Sequence, residues 1–223
     1  MSQYVEGESY YDFTGKTKVV DGVTVRQIVA TRDLPKFRVE AGTVGGYIQS
    51  RHNLLSGSWV KGNAVVMENA TLDQGAFAGG SARVKGNSRV FGSVAIIHEG
   101  EVSGDSMITS EVELDEGAAI VIAVTSAVRD ATISVVKGGH VGIAGSALVS
   151  DGATIIGGDI LVTGKSVVKE DSLVKGVVDI EGNACVCGGA QVVGDGEGIT
   201  INGDEHCFID PIRGLVHPHS GVI

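Results

Sequence analysis

From Ser56 to Val121 the chain reads without a gap as eleven six-residue units, and this period constrains its fold more than any other feature. The third places are small or β-branched: Ser58, Ala64, Ala70, Ala76, Ala82, Ser88, Val94, Gly100, Ser106, Val112 and Ala118. The fifth places are Val60, Val66, Leu72, Ala78, Val84, Val90, Ile96, Val102, Ile108, Leu114 and Ile120, and only Ala78 departs from a branched aliphatic. Side chains alternate sides along a strand, so this pattern describes a short strand with places three and five inward, followed by a corner. Gly62-Asn63, Gly86-Asn87 and Gly104-Asp105 supply corners, because glycine and asparagine take positive φ at little steric cost.

The register returns over 158–193, with Ile160, Ser166, Ser172, Val178, Ala184 and Ala190 third and Val162, Val168, Val174, Ile180, Val186 and Val192 fifth. Between the two runs, Arg129–Ile133, Gly145–Leu148 and Gly152–Ile155 keep the pattern but are offset by extra residues, which predicts coils with bulged corners. Three units make one eighteen-residue coil, so the expected fold is all-β: a single-stranded parallel β-helix, a rod roughly 35 Å long at ~4.8 Å per stacked strand. Spacing leaves the hand open. Solenoids of six-residue units are known as left-handed, an exception to the right-handed crossover preference, and a right-handed β-helix is the alternative. Composition agrees: 34 glycines stand against 3 prolines and 1 tryptophan, which means many tight turns and few bulky core residues.

A solenoid leaves unpaired strand edges at both ends, and these need covering. The expected organisation is an N-terminal cap over 1–55, the repeat over 56–193 and a C-terminal cap or tail over 194–223. Lys16–Val20 and Val23–Ala30 flank Asp21-Gly22, a strong two-residue hairpin signal. The tail contains Gly198-Ile199-Thr200-Ile201-Asn202-Gly203, Asp210-Pro211 and His217-Pro218-His219, and it breaks the six-residue pattern.

The run Ala41-Gly42-Thr43-Val44-Gly45-Gly46-Tyr47-Ile48, then Asn53-Leu54 and Trp59-Val60, resembles the opening motif of a hexapeptide-repeat family of bacteriophages, prophages and YdcK-like bacterial proteins. Val84-Lys85-Gly86-Asn87-Ser88-Arg89 resembles that family's units, and Ile201-Asn202-Gly203-Asp204-Glu205 its closing segment. The resemblance covers roughly Val25 to Val193. It implies a phage-encoded left-handed solenoid, made in the host cytoplasm and carried in the virion or used within the cell.

A net charge of −10, spread in both signs along the repeats, argues against a nucleic-acid binder, which needs clustered lysine and arginine. Gly117–Val128, the longest uncharged apolar stretch, is shorter than the ~20 residues of a membrane-spanning helix. The polar start Met1-Ser2-Gln3 is unlike a signal peptide, so a reducing cytoplasm is the expected place of synthesis.

Trimeric acyltransferases share the hexad fold, and they need a general base and a coenzyme A groove between subunits. The rod's histidines, His98 and His140, fall outside any inserted loop, and His98 occupies a corner that reads as a solvated turn. A γ-type carbonic anhydrase would need three histidine ligands, a pattern the two do not make. Cys185 and Cys187 occupy places four and six of one unit, outward on the same strand, and read as small covered side chains. His206-Cys207 and His217–His219 read as capping-loop residues. Catalytic, metal and cofactor sites are therefore expected to be absent.

Places four and six point outward, and residues eighteen apart stack. One face is expected to carry Trp59, Phe77 and Ala95 with Ile97; the next Val65 and Met67, then Ala119 and Val121; Leu161, Val167 and Leu173 repeat the pattern further along. So much outward apolar surface predicts association, with a parallel-axis homotrimer as the leading expectation. Three roles follow: a virion-associated structural or adhesive rod, an intracellular phage accessory protein that sequesters a host or defence factor, and an acyltransferase-like enzyme.

Overall fold

The computed structural model describes residues 9–110 and 120–203, with the short segments 206–207, 209–210 and 214–215. The chain forms a β-solenoid of about seven turns. Each turn lays one strand on each of three faces, and each strand pairs in parallel with its counterpart one turn on. Face 1 runs from Val65–Val66 through Arg83–Val84, Glu101–Ser103, Ala127–Arg129, Leu148–Ser150 and Val167–Val168 to Cys185–Val186. Face 2 begins with Thr71–Asp73, Arg89–Phe91 and Met107–Ser110, and face 3 with Trp59–Val60, Phe77–Ala78, Val94–Ile96 and Ile120–Ile122.

From Thr132 onward, faces 2 and 3 are crossed by single bent strands: Thr132–Ile143, Thr154–Val162, Leu173–Ile180 and Gln191–Ile201. The pairing register jumps where each bends, between Val135 and His140, Gly157 and Ile160, and Gly176 and Val178. The first lies between the two runs, where bulged corners are expected; the other two fall at the start of and within the second run, which the spacing reads as regular. Glycine is required at them, since a Cβ at Gly176 would lie 1.9 Å from the Gly194 carbonyl oxygen.

The core is the solenoid's interior. Every fifth place from Val60 to Ile108 is wholly buried. Serines at third places are buried too, and their hydroxyls are satisfied locally. Ser88 donates to the Lys85 carbonyl at 2.7 Å, Ser106 to Ser103 at 2.8 Å and Ser166 to Thr163 at 2.6 Å, each three residues back around the corner.

The eleven-unit run is interrupted. Val94 pairs with Ile120 and Ile96 with Ile122, so Ile120 takes the third place rather than the fifth, and 26 residues separate the stacked Ala95 and Val121. The extra length is even, so it preserves the alternation of inward and outward side chains, and the pattern reads equally well with or without it. Val112, Leu114 and Ala118 lie outside the described residues.

The repeat also extends beyond 56–193 at both ends. Strand β3 (Val44–Ile48) already pairs in parallel with Val65–Val66, so the opening motif is itself the first rung of face 1. Gln191–Ile201 continues faces 2 and 3 past Val193, and His206–Cys207 adds a rung below Cys185–Val186. His217–His219 lie outside the described residues.

The expected hairpin forms as β1 (Tyr11–Val20) and β2 (Val23–Ala30), turning through Asp21 and Gly22 at φ 50° and 81°. Strand β2 pairs antiparallel with β3 and so closes the N-terminal edge of face 1. Tyr10, Tyr11, Ile28, Ala30, Leu34 and Val39 join the core cluster from this segment. Arg51 fastens β1 to the rod, donating to Ser9 Oγ at 2.8 Å and Asp12 Oδ1 at 2.9 Å beneath the Tyr11 and Phe13 rings.

Candidate association surface

The outward side of face 3 is a single row in which Trp59, Phe77, Ala95, Val121, Gly142, Leu161 and Asp179 are successive register partners. The expected Trp59–Phe77–Ala95 ladder exists, but its N-terminal end is not surface. Trp59 is wholly buried, against Ile28 of β2 and Gly45 of β3, where a Cβ would come within 2.8 Å of the indole. Phe77 is half-covered by Phe37, whose ring stacks on it at 5.6 Å and 27° from the short turn Pro35–Phe37.

Val65 and Met67 are likewise corrected. Both are buried in a second cluster with Val25 and Tyr47, and Val20 and Val23 pack against it, so the hairpin lies over face 1. Polar contacts hold it there. Lys18 donates to the Asn63 carbonyl at 3.2 Å and sits 3.9 Å from the Tyr47 ring centroid, and Asp21 at the tip reaches Arg83 and Lys85 at 3.5 and 3.6 Å. Burial, with the charges of Arg83 and Lys16, holds the Lys18 amine below the usual lysine range.

Val121 belongs to the Trp59 face rather than to that of Val65, because the long coil before it moves it beside Ala95. Leu161, Val167 and Leu173 do not form one patch. Six residues carry the chain to the next face, so Leu161 lies on face 3, Val167 on face 1 between Leu148 and Cys185, and Leu173 on face 2 between Thr154 and Gln191. Ala119 lies outside the described residues.

Open apolar side chains are spread over the molecule, with Val19 on the hairpin, Val44 on β3, Met107 on face 2, Val124 at a corner and Val193 near the end, and a further group lines face 3. Ala95, Ile97 and Val121 are half-buried, and Leu161 and Val177 are each 39% exposed. Two clefts meet at Val121. One of about 360 Å³ lies between Lys36, Phe37 and Arg38 and the row Phe77, Ala95 and Ile97. The other, about 430 Å³, is lined by His140, Asp159, Leu161, Val177 and Asp179. Phe37 and Val177 were not legible as surface residues, since one lies outside the repeat and the other at a bent corner.

The ionisable groups are dispersed. His98 is an exposed corner residue at φ 59°, stacked between Gly80 and Val124 in a column of left-handed residues. His140 is exposed on face 3, in register with Asp159. Lys85 and Arg129 lie 3.5 and 3.9 Å from Glu101, so cations on face 1 are interleaved with carboxylates rather than drawn into a basic stripe. Burial, and then the neighbouring Cys187 thiol, push the Cys185 thiol up to about 12 against the pull of Lys169. Among the described residues, no helix is long and apolar enough to cross a membrane. No protein-family model and no curated protein matches this chain.

Proposed function

We propose that the chain is a non-enzymatic left-handed solenoid rod whose work is association: face 3 packs against further copies to form a parallel-axis homotrimer. The carrying observation is the pair of adjoining, apolar-lined clefts on face 3. The N-terminal hairpin seals Val65 and Met67 at the start of face 1, whereas Ala95, Ile97, Val121 and Leu161 on face 3, with Val177 at the adjoining corner, are left partly open as a strip along two clefts that meet at Val121. Removing such a strip from water stabilises an assembly at roughly 25 cal/mol per Å², and closed rotational symmetry repeats the gain at each interface. A rod stiffened by stacked backbone hydrogen bonds suits a virion-associated structural or adhesive part, the role implied by the resemblance to phage hexapeptide-repeat proteins.

Sedimentation equilibrium at micromolar concentration tests the reading. The wild type is expected as a trimer, and Val121→Asp with Leu161→Asp as a monomer of unchanged circular dichroism. A monomeric wild type overturns the proposal. Mass spectrometry of purified particles tests the virion role. The cleft beneath Phe37, with Lys36 and Arg38 at its edge, favours a second reading, an intracellular accessory protein that sequesters a host factor; pull-down from host lysate with and without Phe37→Ala distinguishes it.

A further inference from the structure

The N-terminal end of face 3 carries a recess in which apolar walls meet two cations. One side is the turn between Leu34 and Val39, both buried and joined by backbone bonds, Leu34 N–H to Val39 O at 2.7 Å and Val39 N–H to Leu34 O at 3.3 Å. Inside it, Phe37 N–H bonds back to Leu34 O and Arg38 N–H to Pro35 O, each at 3.0 Å, and Arg38 takes the left-handed φ of 53°. These bonds and the fixed φ of Pro35 hold the tip, so Lys36, Phe37 and Arg38 are presented together. Lys36 lies along the corner at Gly75, where a Cβ would fall 2.5 Å from its Nζ. The other side is face 3 itself. Small Ala95 stands between the larger Phe77 and Val121 in the row, and the depression of about 360 Å³ opens there.

We propose that this recess binds a small aromatic anion, with its ring against Phe37, Phe77 and Ala95 and its carboxylate or phosphate between Lys36 and Arg38. Charge selects the sign of the ligand. The chain has 27 Asp and Glu against 17 Lys and Arg, yet no described carboxylate lines this recess, whereas Asp159 and Asp179 line the adjoining one. Two cations beside an apolar, low-dielectric wall focus their field on whatever enters it, and a few polar groups on an apolar pocket are what orient a small ligand. The rings select its shape: Phe37 and Phe77 lie within 27° of parallel, and a flat aromatic body extends such an offset stack. The site is formed within one chain, so it goes beyond the assembly reading.

Anilinonaphthalene sulfonate is the probe, an aromatic anion that brightens on leaving water. Titrated into the folded full-length protein, it is expected to saturate at one molecule per chain. Lys36→Met with Arg38→Asn removes both charges but keeps an unbranched stem at 36 and a residue that tolerates the left-handed turn at 38. This variant should bind at least about tenfold more weakly, the effect of losing one charge-assisted hydrogen bond. Ala95→Phe should fill the depression and abolish the saturable site, with circular dichroism checking that both variants fold. Naphthyl phosphate and naphthoate should displace the probe, the stronger of them identifying the head group, and naphthylmethylamine should not. Absence of a saturable site, unchanged affinity in the charge variant, survival of the site in Ala95→Phe, or displacement by the amine each overturns the proposal. Sedimentation of the same samples keeps the two readings apart: a monomer that binds the probe leaves the recess standing without the trimer, and a trimer that does not bind it removes the recess alone.

Discussion

Gly57 and Gly164 allow the steric demand of stacking to be separated from the demand of the turn. Both are left-handed, with φ 68° and 72°, but nothing lies within 4 Å of a Cβ built on Gly57, whereas one on Gly164 falls 2.5 Å from the Gly182 carbonyl oxygen. Alanine at either position meets the left-handed penalty of roughly 1–2 kcal/mol, offset by about 0.4–1 kcal/mol from a stiffer unfolded chain. Gly57→Ala should therefore cost about 1 kcal/mol. At Gly164 the carbonyl must also retreat, since carbon–oxygen contacts settle near 3.3 Å or beyond. Separating the two corners loosens two inter-turn bonds, Lys165 N–H to Gly182 O at 2.6 Å as that carbonyl retreats and Ser146 N–H to Gly164 O at 2.7 Å as Gly164 takes its share of the shift. At about 1 kcal/mol each, they bring the expected cost of Gly164→Ala to about 3 kcal/mol. Urea unfolding followed by far-ultraviolet circular dichroism reads the difference as a shift in midpoint, provided the slopes match, because solenoid turns are coupled mainly to their neighbours. A Gly164→Ala midpoint no lower than that of Gly57→Ala would show that close stacking at this corner does not demand glycine.

Three further expectations concern the N-terminal cap. Trp59 is the only tryptophan, and its burial predicts short-wavelength emission that iodide does not quench; Trp59→Ala should cost about 3–5 kcal/mol in chemical denaturation. Asn53 is wholly buried and donates to the Glu68 and Ala70 carbonyls at 3.1 and 2.8 Å while accepting from Ser50 N–H at 2.8 Å, so Asn53→Ala should lower stability by about 1–3 kcal/mol in the same assay. Burial raises the Tyr11 phenol above its ordinary value of 10.0, against the opposing pull of Arg51. The folded state then keeps that proton to higher pH than the unfolded chain, so this contribution is complete below pH 10 and is lost as pH rises through the folded-state pKa. Thermal melts above pH 10 should fall less steeply in Tyr11→Phe than in the wild type, and parallel slopes would count against the assignment.

The six-residue period determined which side chains face inward, because alternation along a strand is local and a solenoid repeats the same local decision in every turn. Val60, Leu72, Ile96, Val162 and Ile180 are buried where the repeat placed them. The Asp21-Gly22 hairpin was equally legible, since two consecutive positive-φ residues specify it without help from the rest of the chain. Which outward residues meet one another was a different matter. That depends on the length of each turn, and the 26 residues between Ala95 and Val121 moved Val121 to another face while leaving its alternation intact. It depends also on what folds back over the rod. Trp59, Val65 and Met67 occupy outward places, yet β1, β2 and β3 bury them, because an apolar ladder beside a hairpin with its own apolar side is more stable covered than wet. The sequence by itself determined the inside of this protein; the tertiary structure decided which part of its outside is surface, through contacts between segments that no local period encodes.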